Sequence, residues 1–264
     1  MRWWLNFYRA GQLWLRHDLD YFAAAFSYYA PLALVPLVFV SLWFTSLIYG
    51  TEVVQALFTS WGSVFGRDVL ELISVAVNNL DGEIQTYRLP LFAVFLFLSV
   101  SVVSFNVLGT GFQRIWGDDR VGLVVWVQKS LRSIFFIFLL QVYLVIIVGF
   151  EGLLKFLAVP KSGLLSDLVL FMVTAILFTF LYRSLSMMRP RWSSCFQGGV
   201  VAAFLFVVAK YLVVVYLLAK PVLSIFGAAG LLLVLLVWVY VLASLVYYGA
   251  ALSYLIDKDK QTAA

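Results

Sequence analysis

Charge, cysteine and histidine are what this chain has least of. Only 12% of its residues are charged while 64% are hydrophobic, and the mean hydropathy is +1.02. Soluble domains are about one quarter charged and about half apolar, so a fold in water would need a polar shell that these residues do not supply. A single cysteine, Cys195, excludes a disulfide framework and a thiolate metal cage. The lone His17 leaves no histidine pair for zinc. Carboxylates fall in separate loops, which leaves no positioned pair for general acid and base work. Asp118 and Asp119, between Arg114 and Arg120, read as a salt-bridged loop rather than part of a metal site. Gly109-Thr110-Gly111 lacks the lysine of a phosphate-binding loop. No catalytic residue, metal or cofactor is expected, and enzyme function is disfavoured.

What is present is apolar sequence in long runs. Six of them, near 22–49, 90–116, 131–158, 164–188, 196–219 and 226–256, each exceed the roughly 20 residues that cross about 30 Å of hydrocarbon. Backbone in lipid must satisfy its own hydrogen bonds, so these runs are expected to be helices. The expected fold is all-α, a polytopic membrane bundle of six transmembrane helices over residues 21–256. No internal repeat is visible, so an inverted-repeat transporter fold gains no support.

Lysine and arginine set the expected orientation. One set of connections holds twelve: Arg2, Arg9, Arg16, Arg114, Arg120, Lys129, Arg132, Arg183, Arg189, Arg191, Lys258 and Lys260. The opposite set holds five, Arg67, Arg88, Lys155, Lys161 and Lys220. This bias predicts both termini in the cytoplasm and residues 257–264 as a cytoplasmic tail. The pI of about 9.3 then reflects topology and anionic headgroups. No nucleic-acid partner is expected, since no basic strip is interleaved with base-stacking aromatics.

Residues 1–20 predict an amphipathic helix lying in the interface. Arg2, Arg9 and Arg16 share a stripe with Asn6 and His17 beside it, while Trp3, Trp4, Phe7, Trp14 and Leu15 cluster opposite. It either anchors the first span or guides lipid. That span carries Pro31 and Pro36, which predict a kink, with Ser27, Tyr28 and Tyr29 just before. These polar groups either satisfy freed carbonyls or line a cavity. Residues 51–88 carry Glu52, Asp68, Glu71, Asp81 and Glu83 against Arg67 and Arg88; they predict two short amphipathic helices forming a periplasmic cap. Glycines at 109, 111, 198, 199, 227 and 249, with neighbouring alanines and serines, predict close helix packing.

Lys210 stands out, about two-thirds of the way along the fifth run. An ammonium at a helix centre costs about 2.5–3.5 kcal/mol on insertion scales, and no carboxylate lies in the middle of any run. Three readings stand: the side chain snorkels outward, meets a lipid phosphate in a bundle cavity, or takes part in proton coupling.

Several landmarks together resemble the YihY / BrkB family of bacterial inner-membrane proteins, once mislabelled as ribonuclease BN. In the first span the resemblance falls on Ala23, Ala24, Ala25, Tyr28, Tyr29, Pro36 and Leu37. FQRIWG supplies Arg114, Ile115, Trp116 and Gly117; the later spans supply Tyr182, Arg183, Gly198 or Gly199, Lys210, Tyr216, Gly227, Trp238, Tyr240 and Gly249. It covers roughly residues 18–256. Ala251 stands where the family commonly has glutamate, which removes the expected partner of Lys210, and Gln113 stands where asparagine is usual. The resemblance implies a non-enzymatic inner-membrane protein of envelope biogenesis, not a ribonuclease. It implies passage of phospholipid toward the outer membrane alongside a periplasmic lipid-bridge protein. Lys210, Tyr28, Tyr29, Pro36, Arg114 and Tyr216 are the expected lipid-binding residues. The alternatives are a secondary transporter of a small solute or ion, and a membrane scaffold for a periplasmic partner.

Overall fold

The computed structural model describes residues 2–32, 88–118, 120, 122–156, 163–186, 188, 190–213 and 222–262. All described elements are helices: α1 (Arg2–Arg16), α2 (residues 19–32), α3 (Arg88–Trp116), α4 (Leu123–Phe156), α5 (Gly163–Leu185), α6 (Trp192–Val213) and α7 (Val222–Thr262). Among the described residues three stretches are long and apolar enough to cross a bilayer: Asp167–Leu185, Trp192–Leu212 and Leu232–Thr262. The chain divides into two compact units, Met1–Pro31 with Ser101–Ala264, and Leu32–Val100. In the second, residues 88–100 are helical and Ser99 Oγ donates back to the Phe95 carbonyl at 2.8 Å. The kink at Pro36 and the cap over 51–87 lie outside the described residues.

Within the larger unit, α5, α6 and α7 pack in sequence, α4 lies on α5, and α1 lies on α7. Their centre is an aromatic cluster. The Phe112 ring stacks on Trp116 at 5.6 Å and sits 5.9 Å from both Tyr182 and Tyr247. Phe112, Tyr182 and Tyr247 are fully buried. The expected small-residue packing is found here. A side chain at Gly111 would strike the Tyr247 ring, and one at Gly249 would strike the Tyr182 hydroxyl. Gly198 lies against Ser253 and the Gly249 carbonyl, and Gly199 against Thr179. At Gly109, by contrast, a Cβ would meet nothing within 4 Å among the described residues.

Three boundaries differ from the hydropathy reading. α4 starts at Leu123 rather than 131, because Gln128, Lys129 and Arg132 interrupt the hydropathy between its apolar start and the long run that follows. α7 continues through Thr262, so residues 257–262 extend the last helix. α1 and α2 are separated at Asp18, whose φ of 52° places it in the left-handed region that Asp tolerates better than most residues.

α3 ends in a left-handed glycine, Gly117, at φ 65°. The Asp118 N–H then reaches back to the Gln113 carbonyl at 3.0 Å, the six-to-one bond of a Schellman cap. The expected salt-bridged loop follows. Arg120 Nε donates to Asp118 Oδ1 at 2.7 Å and Nη2 to Oδ2 at 3.0 Å, a bidentate clamp. That guanidinium holds the Asp118 carboxyl below the usual carboxylate range. An unfolded aspartate titrates near about 3.9. The clamp's contribution is therefore present at neutral pH and lost as pH falls through the lower, folded value. Arg120→Gln is expected to move the acid limb of a thermal-unfolding series to higher pH. An unchanged acid limb would rule the clamp out as the source.

Candidate functional site

α5 and α6 form a tight antiparallel hairpin whose turn is held by charged groups. The Arg183 guanidinium donates to the Pro190 carbonyl and lies 5.2 Å from the Trp192 ring centroid. The Arg191 N–H donates to Asp257 Oδ1 at 3.0 Å, placing a buried carboxylate at the start of α6, where the helix dipole favours negative charge. Asp167 is 18 residues before Leu185, and Lys210 is 18 residues after Trp192. At 1.5 Å per residue both stand about 27 Å from the turn. The hairpin therefore brings them together at its far end.

There Lys210 Nζ meets Asp167 Oδ1 at 2.9 Å. The Tyr211 hydroxyl donates to the second carboxylate oxygen, and the ammonium lies 5.5 Å from the Tyr211 ring centroid. The two side chains are 38% and 18% exposed, so the pair is reachable from outside the bundle. This overturns the expectation that Lys210 lacks a carboxylate partner. The partner is not on the last span, where Ala251 stands, but at the mirror position of the hairpin. The pair stands about 27 Å of helix from the turn, comparable with the roughly 30 Å thickness of a hydrocarbon core.

The other expected residues do not join this cluster. Tyr28 is largely exposed and meets Tyr29 edge-on at 5.4 Å. The Arg114 guanidinium lies 5.9 Å from the Phe22 ring. Pro36 and Tyr216 lie outside the described residues. Among the described residues no group of three or more His, Cys, Asp or Glu side chains could hold a metal.

A second feature lies where α1 packs along α7. Asn6 Nδ2 donates to Asp259 Oδ2 at 3.0 Å, and the Tyr248 hydroxyl donates to the Phe7 carbonyl at 3.1 Å. Between them Ala10 packs into a cluster with Ala251, Leu252 and Ile256. Ala251 is fully buried there, so a glutamate at that position would be pressed against α1. Beyond this contact α1, α6 and α7 leave a groove of about 360 Å³, lined by Phe7, Gly11, Trp14, Leu205, Ser244 and Tyr248 among others. The sequence placed Phe7 and Trp14 on an apolar face. It offered no sign that this face borders a groove, or that Gly11 keeps it open.

The sequence pattern of the family described as virulence factor BrkB matches residues 11–264. The chain belongs to the BrkB family. No curated protein and no solved structure matches it. The match takes in Asp167, Lys210 and Tyr211, and all of the groove except the turn of α1 that carries Phe7. This BrkB-family chain is thus a membrane protein of apolar helices with two features of note: an ion pair at the far end of the α5–α6 hairpin, and an apolar groove along α1.

Proposed function

We propose that this BrkB-family protein binds phospholipid in the bacterial inner membrane and passes it toward the outer envelope, without chemistry of its own. The observation that carries this reading is the Asp167–Lys210–Tyr211 cluster at one end of an otherwise apolar hairpin. Its depth is that of the headgroup layer for a helix crossing about 30 Å of hydrocarbon. A phosphate can replace Asp167 as the acceptor of the ammonium. A zwitterionic headgroup fits better still, because its amine then takes the carboxylate that Lys210 releases. Tyr28, Tyr29, Pro36, Arg114 and Tyr216 are the further lipid-binding residues of this reading, with Arg114 at the cytoplasmic mouth. Both termini would be cytoplasmic, and the receiving partner would be a periplasmic lipid-bridge protein.

Lys210→Ala should lower phospholipid binding by purified protein about tenfold, since a hydrogen bond to a charged group contributes about 1.5–3 kcal/mol. Unchanged binding together with unchanged function in cells would discard the headgroup role. One observation favours a second reading. Asp167 supplies the carboxylate partner that a proton-coupled transporter of a small solute would use.

A further inference from the structure

The charged cluster at the far end of the α5–α6 hairpin offers more than a cation to a phosphate. Asp167 presents both carboxylate oxygens there: Oδ1 accepts from Lys210 Nζ at 2.9 Å, and Oδ2 accepts from the Tyr211 hydroxyl. Asp167 and Lys210 are partly exposed, so a molecule outside the bundle reaches both. Exposed apolar side chains flank them on the two helices: Leu168 on α5, Val208 and Leu212 on α6. These surroundings suit a headgroup whose chains lie along the hairpin, not a free solute. When a phosphate draws the Lys210 ammonium away, Oδ1 loses its donor while Tyr211 keeps hold of Oδ2. A partly buried carboxylate left without that donor weakens the bound state. An occupant that brings its own cation, with an N–H on it, escapes this penalty.

We infer that this cluster selects phospholipids whose headgroup ends in a primary amine, the ethanolamine class, over those ending in choline or glycerol. An ethanolamine headgroup exchanges one ion pair for two: its phosphate takes Lys210, and its ammonium donates to Asp167 Oδ1. A glycerol headgroup brings hydroxyls but no cation, so the carboxylate charge stays unmatched. A choline headgroup matches the charge, but its nitrogen carries methyl groups and has no N–H to give. Sites built to hydrogen-bond an N–H discriminate strongly against the analogue that lacks it. Choline is bound instead by aromatic faces that surround the cation. Here, among the described residues, a single ring faces the cation, that of Tyr211, 5.5 Å from Lys210 Nζ. Tyr211 is the positioning residue: its hydroxyl fixes Oδ2, which leaves Oδ1 for the amine. The selection deepens the lipid-handling reading of this cluster and rests on it.

The test uses the full-length protein, delipidated in detergent and offered equimolar phospholipids with identical dioleoyl chains; bound lipid is counted by mass spectrometry. Phosphatidylethanolamine should exceed phosphatidylcholine and phosphatidylglycerol about tenfold each, the effect of one hydrogen bond to a charged group. The N-monomethyl and N,N-dimethyl lipids keep the charge and an N–H, so the main loss should come at the third methyl. This series needs no variant, so misfolding cannot imitate it. Asp167→Asn should abolish the preference for ethanolamine over choline. Tyr211→Phe should lower that preference about threefold while phosphatidylglycerol binding holds. Glycerophosphoethanolamine, the same headgroup without chains, should not displace bound lipid at equal concentration; displacement would overturn the assignment to lipid. Lys210→Ala probes the underlying reading, since it should weaken all three lipids together. If binding depends on Lys210 yet ethanolamine and choline lipids bind alike, the amine selection is overturned and the phosphate contact stands. If Lys210→Ala changes nothing, the phosphate contact falls and the selection with it.

Discussion

Gly198→Val will prevent this protein from accumulating in a folded form. A Cβ at Gly198 would overlap Ser253 Oγ and stand 2.5 Å from the Gly249 carbonyl oxygen. The serine can rotate away, but the carbonyl belongs to the backbone of α7 and cannot move without parting the two helices. The reverse approach is as close, since a Cβ at Gly249 would meet Ala202 Cβ at 2.7 Å as well as the Tyr182 hydroxyl. Helices in lipid are held by packing rather than by a hydrophobic drive, so a crossing that is forced open finds no substitute for that packing elsewhere. Overpacking costs about 1–3 kcal/mol in a core that can adjust, and more where it cannot. A loss above about 3 kcal/mol is a large part of the stability of most folds. The readout is yield and monodispersity in detergent, with the thermal midpoint where any protein is recovered. Gly109→Val is the control, because among the described residues nothing lies within 4 Å of a Cβ there. It should behave close to the unmodified protein. If the two variants behaved alike, the α6–α7 crossing would not be the close approach described above.

How much of this was legible in the sequence differs from one part of the fold to the next. The apolar runs at 164–188, 196–219 and 226–256 overlap α5, α6 and α7, because hydropathy over twenty residues is a local property that a helix in lipid must obey. The glycines at 111, 198, 199 and 249 were legible as packing positions for a similar reason: small residues on apolar helices have few other uses. The start of α4 was not, since Gln128, Lys129 and Arg132 break the apolar sequence just after it and detach it from the run that follows.

The partner of Lys210 was within reach and missed. Asp167 lies near the start of the fourth run, and spans read singly do not reveal it. Counting equally away from the turn between Leu185 and Trp192 pairs Asp167 with Lys210 directly, as any antiparallel hairpin must. The docking of α1 on α7 left no comparable trace. Ala10 and Ala251 are at opposite ends of the chain, and two alanines carry no signal that they touch. Nor did Gly11 stand out, because a groove is made by three helices and has no pattern within any one of them.

Asp167→Asn will strengthen binding of anionic phospholipid by about tenfold, the opposite of what loss of a structural ion pair does. The argument starts from competition. In the folded protein Asp167 and a lipid phosphate are alternative acceptors for one ammonium, and the carboxylate is already in place at 2.9 Å. Asparagine keeps the shape and a hydrogen bond to Tyr211 while removing the charge, so Lys210 no longer has to leave a carboxylate to meet a phosphate. Hydrogen bonds between charged groups are worth about 1.5–3 kcal/mol, and about 1.4 kcal/mol is tenfold in affinity. Zwitterionic lipid should gain less, because its amine loses the carboxylate that its phosphate displaced. Lys210→Ala with Asp167→Asn should bind neither lipid well, which separates the gain from any general loosening of the hairpin. The measurement is lipid bound per protein after delipidation and re-addition of phosphatidylglycerol or phosphatidylethanolamine. A proton-coupled transporter makes the contrary demand: the carboxylate itself must release and take the proton, so Asp167→Asn would abolish solute uptake into proteoliposomes and leave anionic lipid binding unchanged. The sign of one substitution thus separates a headgroup site from a proton site.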